Sequence, residues 1–198
     1  MANYTGPKVK LSRRVGVPIA DNHKHTRSQL TPPGMHGYRG RRLRDYGVRL
    51  NEKQKLRYHY NVLERQFRRY LEQASGSKGN TGTVLLTLLE KRLDNVIRRL
   101  GFARTIWSAR QVVGHGHVLV NGRKTDTPSF NLQVGDKVTI KEKAQKVIRD
   151  NLESLPGHDV PAWLSFDPST LTATVVAEPT VDQVPFDVNM NLIVEFYR

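Results

Sequence analysis

The stretch from residue 92 to residue 140 leaves the chain few ways to fold, because three local patterns follow one another without a gap. Leu93, Val96, Ile97 and Leu100 fall at i, i+3, i+4 and i+7. That spacing lays apolar side chains along one stripe of a helix and leaves Arg92, Arg98 and Arg99 to face outward. Gly101 ends the helix, and Thr105 can cap the free N–H groups of a second one. The second helix has Ile106, Ala109, Val112 and Val113 on its apolar side and is flanked by Arg104 and Arg110. His117-Val118-Leu119-Val120 then runs into Asn121-Gly122, a pair that accepts the positive φ angles of a two-residue hairpin turn, and Arg123 and Lys124 start the return. Two short helices and a hairpin thus share a core and display cations, some of them at the hairpin tip.

The charge of the whole chain says what such a display is for. A formal net charge of +14 in 198 residues exceeds what solubility requires and points to a polyanionic partner, nucleic acid before membrane. The charge is also uneven. Residues 1–110 hold 24 Lys and Arg against 7 Asp and Glu, whereas residues 111–198 hold 8 against 11, so a polyanion should run along the first half. No apolar run approaches the roughly 20 residues that span a bilayer, and no secretion signal is present at the N-terminus. Without cysteine the chain makes no disulfide and no thiolate metal site, which suits a reducing compartment. A soluble protein that nothing marks for export is expected.

Residues 1–44 combine cations with Pro32-Pro33-Gly34, Gly37 and Gly40 and show almost no apolar periodicity, which describes a basic arm that becomes ordered against a partner. Tyr38 beside Arg39, Arg41, Arg42 and Arg44 suits phosphate pairing together with base stacking. A short helix is expected over residues 52–58, capped by Asn51 and stopped by Asn61, with Lys53, Lys55 and Arg57 in solvent. The next helix places Leu63, Phe67, Tyr70, Leu71 and Ala74 on one stripe and Arg65, Arg68 and Arg69 off it. Tyr58, Tyr60 and Tyr70 read as packing residues. The glycine-rich residues 76–82 lack the Gly-Lys-Ser/Thr ending of a phosphate loop and read as a connector.

From Thr83 the apolar stripe predicts one continuous helix through Leu100. A helix is predicted to end near Leu155, and residues 162–166 and 171–176 have strand composition. Residues 192–197 fit either a strand or a short helix capped by Asn189. The chain divides on this reading into an arm (residues 1–44), a helical domain (45–91) and a domain of helices packed on an antiparallel sheet (92–198), whose C-terminal segment can pack back on the helical domain. The fold class is α+β.

Residues 43–57 (LRDYGVRLNEKQKLR), 63–67 (LERQF), 79–82 (GNTG), 88–95 (LLEKRLDN), 101–105 (GFART), 115–123 (HGHVLVNGR) and 192–197 (LIVEFY), with residues 4–8 and 32–37 of the arm, resemble the small-subunit ribosomal protein S-four family in its bacterial and organellar form. The resemblance implies a protein that binds small-subunit ribosomal RNA at a junction of several helices and acts early in assembly. It further implies neighbouring ribosomal proteins, a place beside the incoming messenger RNA, and an influence on decoding fidelity. Many members of that family hold zinc through four arm cysteines. Here Val9 and Ser12 stand where the first two would be, so no metal and no cofactor is expected, and His23, His25 and His36 read as phosphate contacts or solvated side chains.

A folded RNA helix hides its base edges, so the candidate contacts are cations able to read phosphate positions. They are Arg41, Arg42, Arg44, Lys53, Lys55, Arg57, Arg65, Arg68 and Arg69, then Arg98, Arg99, Arg104, Arg110, His115, His117, Arg123 and Lys124. Arg92 near Asp94 reads instead as an internal pair. Two rival readings are an RNA-modifying enzyme that borrows the same module and a helix-turn-helix DNA regulator. The first lacks a nucleophile with its base, a metal cluster or paired carboxylates, and no enzyme is expected.

Overall fold

A computed structural model describes residues 4–20, 23–26, 30–39, 43–155 and 158–197. In chain order these residues form α1 (Lys8–Val15), α2 (His23–Thr26), α3 (Asp45–His59), α4 (Glu64–Ser75) and α5 (Thr81–Glu90). There follow α6 (Leu93–Arg99), α7 (Ile106–Gly114), β1 (Val118–Val120), β2 (Arg123–Lys124), β3 (Lys137–Ile140) and α8 (Glu142–Glu153), and finally β4 (Leu164–Asp167), β5 (Thr172–Val175) and α9 (Met190–Tyr197). The chain makes two compact units, residues 1–85 with 185–198 and residues 86–184, so the division falls inside α5.

The first unit is helical. α3 is longer than the predicted helix: it starts after Arg44 rather than after Asn51, with Asp45 in its first turn where a carboxylate meets the positive helix end. It stops where Asn61 turns the chain at φ 48°. α4 buries Phe67, Tyr70, Leu71 and Ala74 as its periodicity predicts, whereas Leu63, expected on the same stripe, precedes the helix as its N-cap and is exposed. The arm departs from its sequence reading. α1 buries Leu11 and Val15, and Ile19 and Ala20 behind it are buried too, a hydrophobic cluster too short to show periodicity.

The C-terminal residues resolve as a helix. Asn189 Oδ1 accepts from the N–H groups of Asn191 and Leu192, and α9 packs on α3. Tyr46 meets Phe196 with ring centroids 5.6 Å apart, Arg49 pairs with Glu195 at 3.2 Å, and Lys55 donates to the Asp187 carbonyl.

The second unit is an antiparallel sheet in the order β2-β1-β3-β5-β4 with helices packed on it. Its register places Val118 opposite Ile140, Val120 opposite Val138 and Val138 opposite Ala173. Period-two alternation therefore sends one row of small apolar side chains to the same face. That row packs against Leu93, Val96 and Ile97 of α6, Ala109 and Val113 of α7, and Ala144 and Ile148 of α8.

The predicted continuous helix from Thr83 to Leu100 is interrupted. Arg92 is extended (φ −67°, ψ 136°) and forms an antiparallel bridge with Asn131, while the N–H groups of Leu93 and Asp94 donate to the carbonyls of Phe130 and Pro128. Those carbonyls satisfy the start of α6 in place of a preceding helical turn. Arg92 and Asp94, only 2% and 0% exposed at their side chains, pair at 2.6 Å beneath the break.

Candidate nucleic-acid interface

In the first unit, α4 carries the plainest cationic face. Its buried stripe fixes the helix, so Arg65, Arg68 and Arg69 are exposed on the other side, held at defined positions by the packing of Phe67 and Tyr70. Arg44, at the start of α3, is exposed as well. Arg41 and Arg42 lie outside the described residues.

Lys53 behaves differently from its solvated expectation. It is 4% exposed, donates to both oxygens of Glu64 at 3.0 Å and lies 4.4 Å from the Phe196 ring centroid. Its charge is spent inside the fold. Arg57 donates to the same carboxylate at 2.6 Å and Tyr197 does so at 2.6 Å. Partial burial works against the Glu64 charge, but the bonds from Tyr197, Lys53 and Arg57 outweigh it and hold the carboxyl below its ordinary value. Burial and the neighbouring carboxylate push the Tyr197 hydroxyl up. Lys55 pairs with Glu52 at 2.7 Å and is 14% exposed at its side chain. Lys53, Lys55 and Arg57 are therefore not the solvated row that the sequence suggests.

In the second unit the hairpin supplies the best-defined cluster. Asn121 (φ 50°) and Gly122 (φ 78°) make the turn. The Asn121 side chain braces it, donating to Asp136 at 2.8 Å and accepting from the Lys137 N–H at 2.9 Å. Arg123 and Lys124 are both exposed in β2. The Lys124 stem lies across Gly116, so closely that a Cβ there would overlap its Cε, while the rings of His115 and His117 stand edge to face, 5.9 Å between centroids. Lys124 thereby lies over the glycine that separates His115 from His117 in the chain. Gly116 takes φ 70°, a conformation that neither periodicity nor a turn signal marks in the sequence, where only its place between two histidines shows.

The helical cations of this unit are more constrained. Thr105 Oγ1 accepts from the Ser108 N–H as predicted, and Arg104 just before it is exposed. Arg98 is half-buried. Arg99 forks onto Glu90, with Nε 3.0 Å from Oε2, and Arg110 lies 3.7 Å from Asp94 with its side chain 12% exposed. The outward position predicted for Arg99 carries charge that the buried Glu90 carboxylate balances, while Arg110, turned inward, shares the Asp94 carboxylate with Arg92.

His25 also departs from its expectation. It is 4% exposed and shares a 2.6 Å hydrogen bond with Ser12 Oγ, which in turn accepts from the Ile19 N–H at 3.2 Å. Burial, and then the charge of Lys8, hold the imidazole below its ordinary pKa. His36 is exposed. The arm does not fit the thiolate zinc site that the resemblance would imply: Val9 and Ser12 offer no thiolate, and Ser12 is bonded to His25. Among the described residues no group of three or more His, Cys, Asp or Glu side chains is placed to hold a metal ion.

Residues 3–90 match the family model described as Ribosomal protein S4/S9 N-terminal domain, and residues 91–138 match that of the S4 domain. The whole chain is 50% identical to the small ribosomal subunit protein uS4 of Sulfurihydrogenibium sp. (strain YO3AOP1), covering 99% of that protein. The chain belongs to the uS4 family. The uS4 proteins of Persephonella marina and Cutibacterium acnes are each 46% identical to it over all of this chain and 99% of their own. The S4-domain match covers both α6 and α7 and the hairpin, so the hairpin cluster belongs to the uS4 family's shared module, whereas α4 belongs to the N-terminal domain.

Proposed function

We propose that this chain is a structural ribosomal protein that binds small-subunit ribosomal RNA directly at a junction of several helices and nucleates assembly of the subunit. Its place would be in the small ribosomal subunit of the cytoplasm. The observation that carries the reading is the rigid display of Arg65, Arg68 and Arg69 on α4 and of Arg123 and Lys124 on the braced hairpin. A planar guanidinium can bridge two phosphate oxygens, and an array of them on fixed elements reads the spacing of phosphates in a folded RNA rather than a base sequence.

The contact set that the geometry favours is Arg44, Arg65, Arg68 and Arg69, with Arg98, Arg104, His115, His117, Arg123 and Lys124. Lys53, Lys55, Arg57, Arg99 and Arg110 support the fold beneath it. Neighbouring ribosomal proteins, a position beside the incoming messenger RNA and a contribution to decoding fidelity belong to the same reading. The protein is not an enzyme: its family is structural, and its cations serve binding.

Filter binding to a small-subunit ribosomal RNA fragment, combined with chemical footprinting, tests the proposal. With about 6 to 10 phosphate contacts, affinity falls about 10³- to 10⁵-fold between about 50 and 200 mM salt, and protections cluster at one junction. A flat salt dependence, protections scattered over unrelated helices, or tighter binding to duplex DNA than to folded RNA would each overturn it.

A further inference from the structure

The most exposed large apolar side chains of the described chain, Met35 at 82% and Tyr38 at 72%, lie together in one tightly built turn. Arg13 of α1 secures its start, donating from Nε to the Thr31 carbonyl at 3.0 Å and from Nη2 to the Pro32 carbonyl at 3.3 Å. The chain then reverses through Gly34 at φ 118°, and Gly37 passes so close to the Pro32 carbonyl that a Cβ would overlap it. The N–H groups of Gly37 and Arg39 donate to the carbonyls of Gly34 and His36. Two glycines and two prolines thus fold a loop that buries neither Met35 nor Tyr38. Ordering a backbone costs about 1–2 kcal/mol per residue, and holding an aromatic ring in water recovers none of it, so the turn is shaped for something that covers the ring.

The surrounding charge selects the occupant. Residues 1–44 hold ten Lys and Arg and a single acidic residue, Asp21. Arg39 stands at the ring, its Nε donating to the Tyr38 hydroxyl at 3.2 Å and its guanidinium carbon 5.7 Å from the ring centroid. An aromatic ring bordered by a guanidinium in a cationic segment matches an unpaired nucleobase, which brings a flat π-face and a phosphate together. We propose that Tyr38 is a stacking platform for one unpaired base of the RNA, with Arg39 taking the adjoining phosphate. This rests on the ribosomal RNA reading above and adds a base contact to it: paired helices offer no exposed base face, whereas a junction does.

The test uses the full chain, the junction RNA fragment and a fully paired RNA duplex of equal length. Tyr38→Ala is expected to weaken binding to the junction fragment about tenfold with the salt slope unchanged, because no phosphate contact is lost. Tyr38→Phe keeps the π-face and binds as the parent does, and neither variant alters binding to the duplex. Ultraviolet crosslinking of the parent complex leaves a nucleotide adduct on Tyr38. If Tyr38→Ala binds the junction as tightly as the parent, the ring serves another partner, such as an apolar pocket of a protein, and the proposal falls. If the variant loses salt slope, Tyr38 merely positions Arg39 and the proposal also falls. A parent protein with a flat salt dependence would instead defeat the underlying ribosomal RNA reading.

Discussion

The hydroxyl of Tyr197, near the end of the chain, donates a 2.6 Å hydrogen bond to Glu64 at the start of α4. One carboxylate thereby joins α4 to α9 and, through Lys53 and Arg57, to α3. Removing the hydroxyl with Tyr197→Phe leaves Glu64 its two cations, so the cost in urea unfolding is about 1 kcal/mol. Glu64→Gln costs more, about 2 kcal/mol, because the buried Lys53 ammonium loses its counter-charge. Equal losses in the two variants would show that the carboxylate is not the hub.

The two classes of arginine separate in salt titrations. Arg65→Ala and Arg68→Ala each lower the slope of log affinity against log salt for ribosomal RNA by about one, with stability changed by less than about 0.5 kcal/mol. Arg99→Ala leaves Glu90, 2% exposed at its side chain, without its ion pair; it lowers stability by about 3 kcal/mol and leaves the slope nearly unchanged. A slope that drops by one in Arg99→Ala would return this residue to the contact set.

Gly116→Ala attacks the hairpin cluster without touching a cation. At φ 70° a side chain is strained, and the new methyl collides with the Lys124 stem, so the variant should be destabilised by about 1–2 kcal/mol. It should also lose RNA affinity as the Lys124 side chain is displaced from its place across Gly116. Lys124→Ala in the same background tests the cause: if Lys124 is the casualty, the double variant binds RNA no worse than Gly116→Ala alone.

The Ser12–His25 bond makes the α1 region sensitive to acid. The His25 pKa in the folded protein is held below its ordinary 6.5, so folded and unfolded forms are both neutral above pH 6.5 and the bond contributes fully there. As pH falls below 6.5 the opened form takes up a proton that the closed form refuses, and the contribution is lost as pH approaches the folded value. The Ile19 amide, which donates to Ser12, reports it: its hydrogen-exchange protection factor should fall between pH 7.5 and pH 5.5. A protection factor equal at both pH values would contradict the linkage.

What was legible in the sequence was whatever a few neighbouring residues decide among themselves. The Thr105 cap, the Asn121-Gly122 turn, the α4 stripe and the Arg92–Asp94 pair all involve groups close in the chain, and all appear as predicted. The misreadings come from distant partners. The helix breaks at Arg92 because Asn131 bridges it, and Lys53 is buried because Glu64 and α9 close over it. The same holds for the candidate site. Arginine on an outward helical position was readable, but its pairing with a buried Glu90 or Asp94 depends on how α5, α6 and α7 meet. The expectation that His25 is a phosphate contact or solvated fails because its bond to Ser12, thirteen residues earlier, shows as no pattern in the sequence.

The division of the chain has a consequence for its synthesis. The sheet-bearing unit is one uninterrupted segment, residues 86–184, so every strand and helix it needs is synthesised before residues 185–198. The helical unit is split, because residues 185–198 belong with residues 1–85. Its first helices can form while the chain is growing, yet Lys53 and Glu64 have no Phe196 or Tyr197 to meet until those residues have been made. The α4 cations therefore depend for their final scaffold on residues made well after them, and a chain truncated before α9 would keep every residue of the sheet-bearing unit while leaving the helical unit incomplete.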